Sequence, residues 1–422
     1  MNLLKDLLFK DNYTLGYRLQ VLSLMLIALT LPFSIALNNM AIGLLVVSWL
    51  FLGNYITRIK EAFSNKLFLL FVGVFLMQAV GLLYTSNMGE GLGKIERKAA
   101  LFVLPFILAS SPQLKVRHVH AVVLAFVLSC AAMASYASFV LLNTYGEIPE
   151  GLGLTEYIDA VTGLHHAYSG LYLLFAVAAC LYLAFTKGSA FGEKYKVPLV
   201  TVASLLYFFL IILAARTAVF TSFLLFLVGL VYYLLKKKRG KHLIAGLLVC
   251  LAIVAVVLAL PNTKNKIADF DRLRGVHSPL TPRLIKWGCC FRVLDEQNGW
   301  VLGVGTGDVQ DHLQQCYTDE KFWGDRYILN AHNEYLEEFV RHGAVGAVLF
   351  ICSLGIPFVL AVRLRKTLYI LFLVIFMSSS VTESTLSRQK GVVFYALFNA
   401  VFAFSYLIHE KRVAIEEESI PA

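Results

Sequence analysis

The sequence predicts an all-α integral membrane protein of about twelve transmembrane helices with one large extracytoplasmic loop domain. Three observations predict it. Of 422 residues, 58% are hydrophobic and only 15% charged, with a mean hydropathy of +0.71. A soluble domain carries about 25% charged residues, so apolar side chains here must face something other than water. The apolar residues also fall in long blocks, such as Leu243 to Leu260 and Ala344 to Val362. Each is close to the ~20 residues needed to cross ~30 Å of hydrocarbon. Backbone groups in lipid must be satisfied within the segment, so the blocks read as helices.

Taken in order, spans are expected at 19–37, 40–57, 67–84, 98–111, 119–142, 167–186, 197–215, 217–235, 242–261, 344–362, 367–382 and 391–408. Each boundary is good to about 4 residues. The first block follows Lys5, Lys10 and Arg18 and is long enough to remain as a span, not a cleaved signal. The chain divides into spans 1–9 (residues 1–261), a large loop (262–343) and spans 10–12 with a tail (344–422). An even number of spans puts both termini on one side, and the cations identify that side as the cytoplasm. The inner connections carry Arg58, Lys60 and Lys66; Lys115 and Arg117; Lys187, Lys194 and Lys196; the run Lys236 to Arg239 with Lys241; and Arg363, Arg365 and Lys366. The opposite loop at 143–166 has no Lys or Arg but holds Glu147, Glu150, Glu156 and Asp159. This asymmetry follows the positive-inside rule, and it accounts for the net charge of +10 without nucleic acid.

Three groups of cations break the rule: Lys94, Arg97 and Lys98 before span 4, Arg216 between spans 7 and 8, and Arg388 with Lys390 before span 12. An arginine between two apolar runs costs about 2.5–3.5 kcal/mol on insertion scales if it faces lipid. It is either a helix-end arginine snorkelling to headgroups or a cation held at the outer surface to meet an anion. The cations of the large outer loop favour the second reading.

Within that loop, helical character runs from Arg283 through Leu294, after Pro279 and Pro282. A glycine turn follows at Gly303-Val-Gly305-Thr-Gly307. A second helix starts near His332 and Asn333, with Tyr335, Leu336, Phe339 and Val340 on one side, and Gly343 as its C-cap. The glycine segment lacks the strand and distant acid of a nucleotide fingerprint, so it reads as a backbone turn packed on the membrane domain. Asp308 and Asp311 just after it are weak candidates for a cation. Cys130, Cys180, Cys250 and Cys352 sit in apolar blocks as small hydrophobes; Cys289, Cys290 and Cys316 lack metal-ligand spacing, and a disulfide from Cys316 to either of the other two is open.

The candidate chemistry gathers on the outer face. His332, with a reference pKa of ~6.5, suits a general base. Arg216 and Arg283 suit a bidentate clamp on a diphosphate, and two guanidiniums neutralise leaving-group charge as a metal would. The pair His165-His166 precedes span 6; adjacent residues on a helix do not face each other, which favours substrate lining or a structural role over a metal. Glu383, within Thr382-Glu383-Ser384 at the outer end of span 11, is placed to touch the site or to pair with Arg388 or a clamp arginine.

Taken together, these residues resemble a known family. Arg216 at the head of a span, Arg283-x3-Trp287, the turn from Gly303 to Gly307, and His332-Asn-x-Tyr335-Leu336-x4-Arg341-x-Gly343 look like the O-antigen ligase and polymerase superfamily. Thr382-Glu383-Ser384 before the last span fits the same pattern, whereas Ala215-Arg216-Thr217 replaces the family's common Ser-Arg-Gly. The resemblance implies a GT-C type glycosyltransferase of the bacterial inner membrane with its active site on the periplasmic face. It implies transfer of a glycan from undecaprenyl diphosphate to a lipid A–core hydroxyl, inverting, with no metal and no cofactor. Residue by residue, Arg216 and Arg283 would bind the diphosphate and His332 would activate the acceptor. Asn333, Tyr335, Glu383 and His166 are the expected substrate contacts. An O-antigen polymerase or a protein O-oligosaccharyltransferase is the alternative within the superfamily. A lipid or solute transporter is the alternative outside it, against which stands the gathering of polar residues at outer helix ends.

Overall fold

The computed structural model describes residues 13–144, 153–186, 191–236, 281–322 and 327–407. Among these every regular element is a helix. They are α1 (Leu15–Thr30), α2 (Ile35–Leu50), α3 (Tyr55–Ser64), α4 (Lys66–Gly81), α5 (Met88–Lys98), α6 (Ala100–Ala109), α7 (Val116–Thr144), α8 (Leu154–Thr162), α9 (His166–Phe185), α10 (Gly192–Ile212), α11 (Arg216–Lys236), α12 (Thr281–Glu296), α13 (Val309–Asp319), α14 (Glu334–Arg363), α15 (Thr367–Thr382) and α16 (Gln389–Phe402), the last running on as a π turn, Ala403–Leu407. Several starts are set by short polar side chains that accept the first free amides: Thr14 from Tyr17, Ser34 from Leu37, Asn65 from Leu67 and Phe68, and Asn87 from Glu90.

Among the described residues, six helices are long and apolar enough to cross a bilayer, or seven if α2 and α3, bent by 114° at their junction, form one broken span. The chain is thus a multi-pass membrane protein. The elements α1, α11 and α15 are shorter apolar helices. The block at 98–111 differs from the expected span: α6 has 10 residues and contains Pro105, so it reaches only about 15 Å. The expected span at 242–261 lies outside the described residues.

Helix α16 is the centre of the bundle, with every residue from Gly391 to Phe402 buried. Rings from α7, α9, α15 and α16 interlock around it: Phe175 lies 4.9 Å from Phe398 and 5.4 Å from Phe372, and Phe126 lies 5.0 Å from Phe398. Lipid tails are as apolar as these side chains, so close ring packing, not exclusion from water, holds this centre together. A second, smaller core lies between α12, α13 and the start of α14, built from Cys290, Val293, Leu294, Leu313, Tyr317 and Val340. The Cys289–Cys316 disulfide, with Cα atoms 5.8 Å apart, crosslinks α12 to α13 and selects between the two pairings open from sequence. Cys290 is left as a buried free thiol.

The two cores meet at Gly343. The sequence predicts that a loop helix ends there and a span begins. Instead a single element runs from Glu334 to Arg363, broken in the middle at Gly343, whose φ of 60° and ψ of −160° belong to a region open essentially to glycine alone. The break frees backbone groups on both sides, and the segment 300–305 takes them up. Val304 and Gly305 N–H donate to the carbonyls of Val340 and Arg341 at 2.9 and 3.1 Å, while Ala344 and Val345 N–H donate to Trp300 and Val301 at 2.8 and 3.3 Å. The approach is so close that a Cβ on Gly303 would lie 2.3 Å from the Arg341 carbonyl carbon. The glycine run is therefore a backbone clamp on a broken helix, as its lack of a nucleotide fingerprint implied.

A Cβ on Gly343 would sit 2.2 Å from the carbonyl carbon of Val301, whereas one on Gly355, further along the same helix, meets nothing within 4 Å. Gly343→Ala is expected to cost about 2–4 kcal/mol through strain and overlap and to lower the melting temperature of the purified protein. Gly355→Ala is expected to leave it unchanged or slightly raised, and equal effects of the two would refute the clamp.

Candidate active site

The site is assembled from four chain segments, each arriving with its own anchor. Helix α10 ends at Leu213, and Ala214, a non-glycine residue at φ +53°, turns the chain sharply into α11. Arg216 is therefore the first residue of its helix. Thr217 joins Thr382 through their hydroxyls at 2.7 Å, which ties the head of α11 to the end of α15, next to Glu383. Glu383 follows α15 as its C-cap in extended backbone. Arg283 stands in the first turn of α12, the helix held by the disulfide.

Arg216, Arg283 and Glu383 line one cavity of about 540 Å³, together with His166, Thr217, Thr382 and Ser379. Neither guanidinium has a hydrogen bond or ion pair to any described residue. Burial, and then the neighbouring charge of Arg216, draw the Arg283 pKa below its ordinary value. Two like charges are thus held together without a protein counter-ion, an arrangement that calls for an anion between them. The amino ends of α9 and α11 also border the cavity, through His166 and Ala167 and through Arg216, Thr217 and Ala218. Unpaired amides at such ends, with the helix dipole behind them, add to its attraction for negative charge.

His332 joins the site through Glu383: its Nδ1 lies 3.2 Å from Glu383 Oε2. Burial would raise the Glu383 carboxyl, but the hydrogen bond from His332 and the charges of His332, His165 and His166 hold it below its ordinary value. A carboxylate fixed in this way favours the tautomer with the proton on Nδ1 and leaves the lone pair on Nε2. Of the partners open to Glu383 from sequence, the structure thus selects none of the arginines and gives it the histidine. His332 itself has φ +48°, a conformation histidine tolerates better than most residues, and Asn330 Oδ1 accepts its N–H at 3.0 Å. Asn333 caps α14 by accepting from Leu336 N–H at 3.1 Å, and the Tyr335 hydroxyl donates to Met377 O at 3.2 Å. Both expected contact residues thus hold the local frame.

The other outer cations are engaged within the protein. Lys94 and Arg97 pair with Glu90 at 3.2 and 2.7 Å. Lys390 donates to the carbonyls of Pro32 and Gly163. Lys98 is buried and paired with Glu338, which Gln78 also contacts at 3.1 Å. This last pair belongs to a buried network on one face of α14 comprising Glu334, Glu337, Glu338, Arg341 and His342. The network positions the site from behind. Glu337 Oε2 accepts the Ala331 N–H at 3.1 Å, beside His332, and Glu334 Oε2 accepts the Leu386 N–H at 2.7 Å, three residues past Glu383. Sequence reasoning missed this group; the available signal was three acids at 334, 337 and 338 with Arg341 at the i+4 and i+3 positions.

His166 accepts its expected place in the cavity wall, with Nδ1 at 2.8 Å from Asp159 Oδ2. His165, His166 and Asp159 bring their donor atoms within 4.8 Å of one another. The two imidazoles are stacked, with centroids 4.1 Å apart and planes 30° apart, so their in-plane lone pairs do not converge on one ion as they stand. Nor do Asp308 and Asp311 offer a cation site. Both Asp308 oxygens accept backbone amides, from Ser86 and Asn87 at 2.7 Å each, and Asp311 accepts from the Asn87 side chain.

This geometry makes the likeness to known proteins specific. Residues 199–351 match the O-antigen ligase family model. The match supports the O-antigen ligase and polymerase superfamily for this chain, and it spans Arg216, Arg283, the glycine clamp and His332 in one run. Glu383 falls beyond its end. No curated protein gives a match.

Asp308→Ala leaves two buried amides without acceptors and is expected to cost about 1–3 kcal/mol, read as a lower melting temperature. Calcium or EDTA is expected to leave the melting temperature of the unmodified protein unchanged, and a calcium-dependent rise would restore the cation reading.

Proposed function

We propose that the protein is a GT-C type glycosyltransferase that transfers an O-antigen glycan from undecaprenyl diphosphate to a hydroxyl of lipid A–core. The carrying observation is the single cavity that presents two unpaired guanidiniums next to a carboxylate–histidine pair. In this reading Arg216 and Arg283 hold the diphosphate, each able to bind bidentately. His332 Nε2 takes the proton of the acceptor hydroxyl, whose oxygen attacks the anomeric carbon. The bond from that carbon to the diphosphate oxygen breaks, and its electron pair stays on the diphosphate, stabilised by both guanidiniums. A single in-line displacement inverts the anomeric centre. Glu383 keeps the imidazole in the tautomer that accepts, and it stabilises the imidazolium that forms. His166, Asn333 and Tyr335 shape the substrate surroundings.

Three features support the periplasmic face of the inner membrane as the place of reaction, with both termini in the cytoplasm. The short loops on the site's side lack the cation runs found on the other. The donor class is a membrane lipid, and the cavity lies at helix ends. The disulfide beside Arg283 suits an oxidising compartment. The family match extends equally to polymerases, so the acceptor is the discriminating variable.

His332→Ala is expected to lower turnover by about 10²–10⁴-fold while the protein still inserts and melts normally. Arg216→Lys and Arg283→Lys are each expected to lose most activity, since a point charge does not replace the guanidinium fork. Purified protein supplied with undecaprenyl-diphosphate glycan and three competing acceptors (lipid A–core, a second lipid-linked glycan, and a hydroxyl-bearing protein) is expected to glycosylate lipid A–core. Label in the second or third acceptor instead would assign a polymerase or a protein transferase.

A further inference from the structure

We propose that Lys286 is a third cation of the donor site, one that meets the departing diphosphate more closely than the resting donor; the inference rests on the transferase reading above. Lys286 lies three residues after Arg283 on α12, so the two side chains share one face of the helix. Arg283 lines the cavity, and Lys286 continues its line by one turn, away from solvent: it is only 6% exposed. Its ammonium has no hydrogen-bond or ion-pair partner among the described residues, and the nearest aromatic support is the Phe322 ring, 6.0 Å away. That distance gives little compensation for removing an ammonium from water. The position is nonetheless rigid. Cys289, three residues further on, carries the covalent link to Cys316 on α13, and Cys290, Val293 and Leu294 fix the rest of the helix in the smaller core.

The electrostatic setting agrees with a role in the reaction. Burial, with Glu383 opposing and Arg283 reinforcing it, brings the Lys286 pKa down to about 8. The two charges that act on it are thus the base-orienting carboxylate and one arm of the clamp. As the bond between the anomeric carbon and the diphosphate oxygen breaks, negative charge grows on that oxygen, and a nearby ammonium becomes more favourable than it was in the ground state. An interaction that strengthens along the reaction raises kcat and leaves donor binding nearly untouched. Arg216 and Arg283, by contrast, meet charge already present in the donor. No proton need leave Lys286: the acceptor's proton goes to His332, and the ammonium acts through charge alone.

The test uses full-length protein in lipid nanodiscs, with undecaprenyl-diphosphate glycan as donor and undecaprenyl diphosphate as product inhibitor. Lys286→Met, Lys286→Gln and Lys286→Arg are compared with His332→Ala and Arg216→Lys in the same assay. Lys286→Met is expected to lower kcat by about 10²-fold with donor KM changed by less than about 3-fold, and to weaken product inhibition by about 10-fold. Lys286→Arg, which keeps the charge, is expected to recover most of kcat. If Lys286→Met does not fold, judged by melting and by retention of the Cys289–Cys316 bond, Lys286→Gln is read by the same two parameters. Unchanged kcat and unchanged product inhibition in a neutral variant would overturn the proposal, as would a rise in KM alone. If Lys286 variants are normal while His332→Ala and Arg216→Lys are inactive, only the third cation fails. Full activity in those two controls would remove the transferase reading itself.

Discussion

Everything around the cavity depends on a broken helix whose loose ends are tied by another piece of backbone. At Gly343 the chain leaves the helical path, and four amide–carbonyl bonds to residues 300–305 replace those that the break gives up. In a membrane protein an unsatisfied backbone group costs several kcal/mol, so a break at this depth persists only where protein covers it. The exchange also joins two otherwise separate cores. On one side α14 runs into the bundle beside α4 and α15; on the other it carries the turn that holds His332. Because Thr306 next to the clamp donates to the carbonyls of Gln78 and Gly81, the same turn also grips the end of α4. The smaller core is thereby fixed to the bundle through backbone, which is indifferent to side-chain substitution.

The buried charges behind the site act in a related way. Lys98, Arg341 and the three acids of α14 do not stabilise the protein merely by pairing, since desolvation of such ions offsets much of the gain. What they supply is direction. Glu337 and Glu334 each spend one oxygen on a backbone amide of a different strand of loop, one adjoining His332 and one following Glu383. The histidine and its carboxylate come from segments about fifty residues apart in sequence, and both are referenced to the same helix. A loss of either tie would shift one member of the pair relative to the other without touching the cavity.

The membrane character, the outer loop, and the residues Arg216, Arg283 and His332 were all legible in the sequence, because each breaks a pattern that composition sets up. Arg216 interrupts two apolar runs, and His332 stands at a helix start among polar neighbours. The glycine run could also be separated from a nucleotide loop by what it lacked. Partnerships were not legible. Glu383 had several cations within plausible reach, and only tertiary structure distinguishes His332 from them. The face of α14 bearing Glu334, Glu337, Glu338 and Arg341 reads as solvated, since charged residues are rarely buried. Its burial requires Lys98, which lies more than two hundred residues away in the chain. Likewise Lys286 reads as an ordinary surface lysine until the packing of α12 against α13 and α14 encloses it.

The covalent tie between α12 and α13 has a consequence in time as well as in space. Arg283 sits on a short helix that belongs to no span, and the link at Cys289 is what fastens that helix to its neighbour. Thiols remain reduced in the cytoplasm and pair only beyond it. On the topology argued above, the polypeptide is inserted with this helix unfastened, and its last cationic arm is locked only after the loop has crossed. Maturation is thus a separate event from insertion, and the loop's redox history decides when the molecule becomes competent.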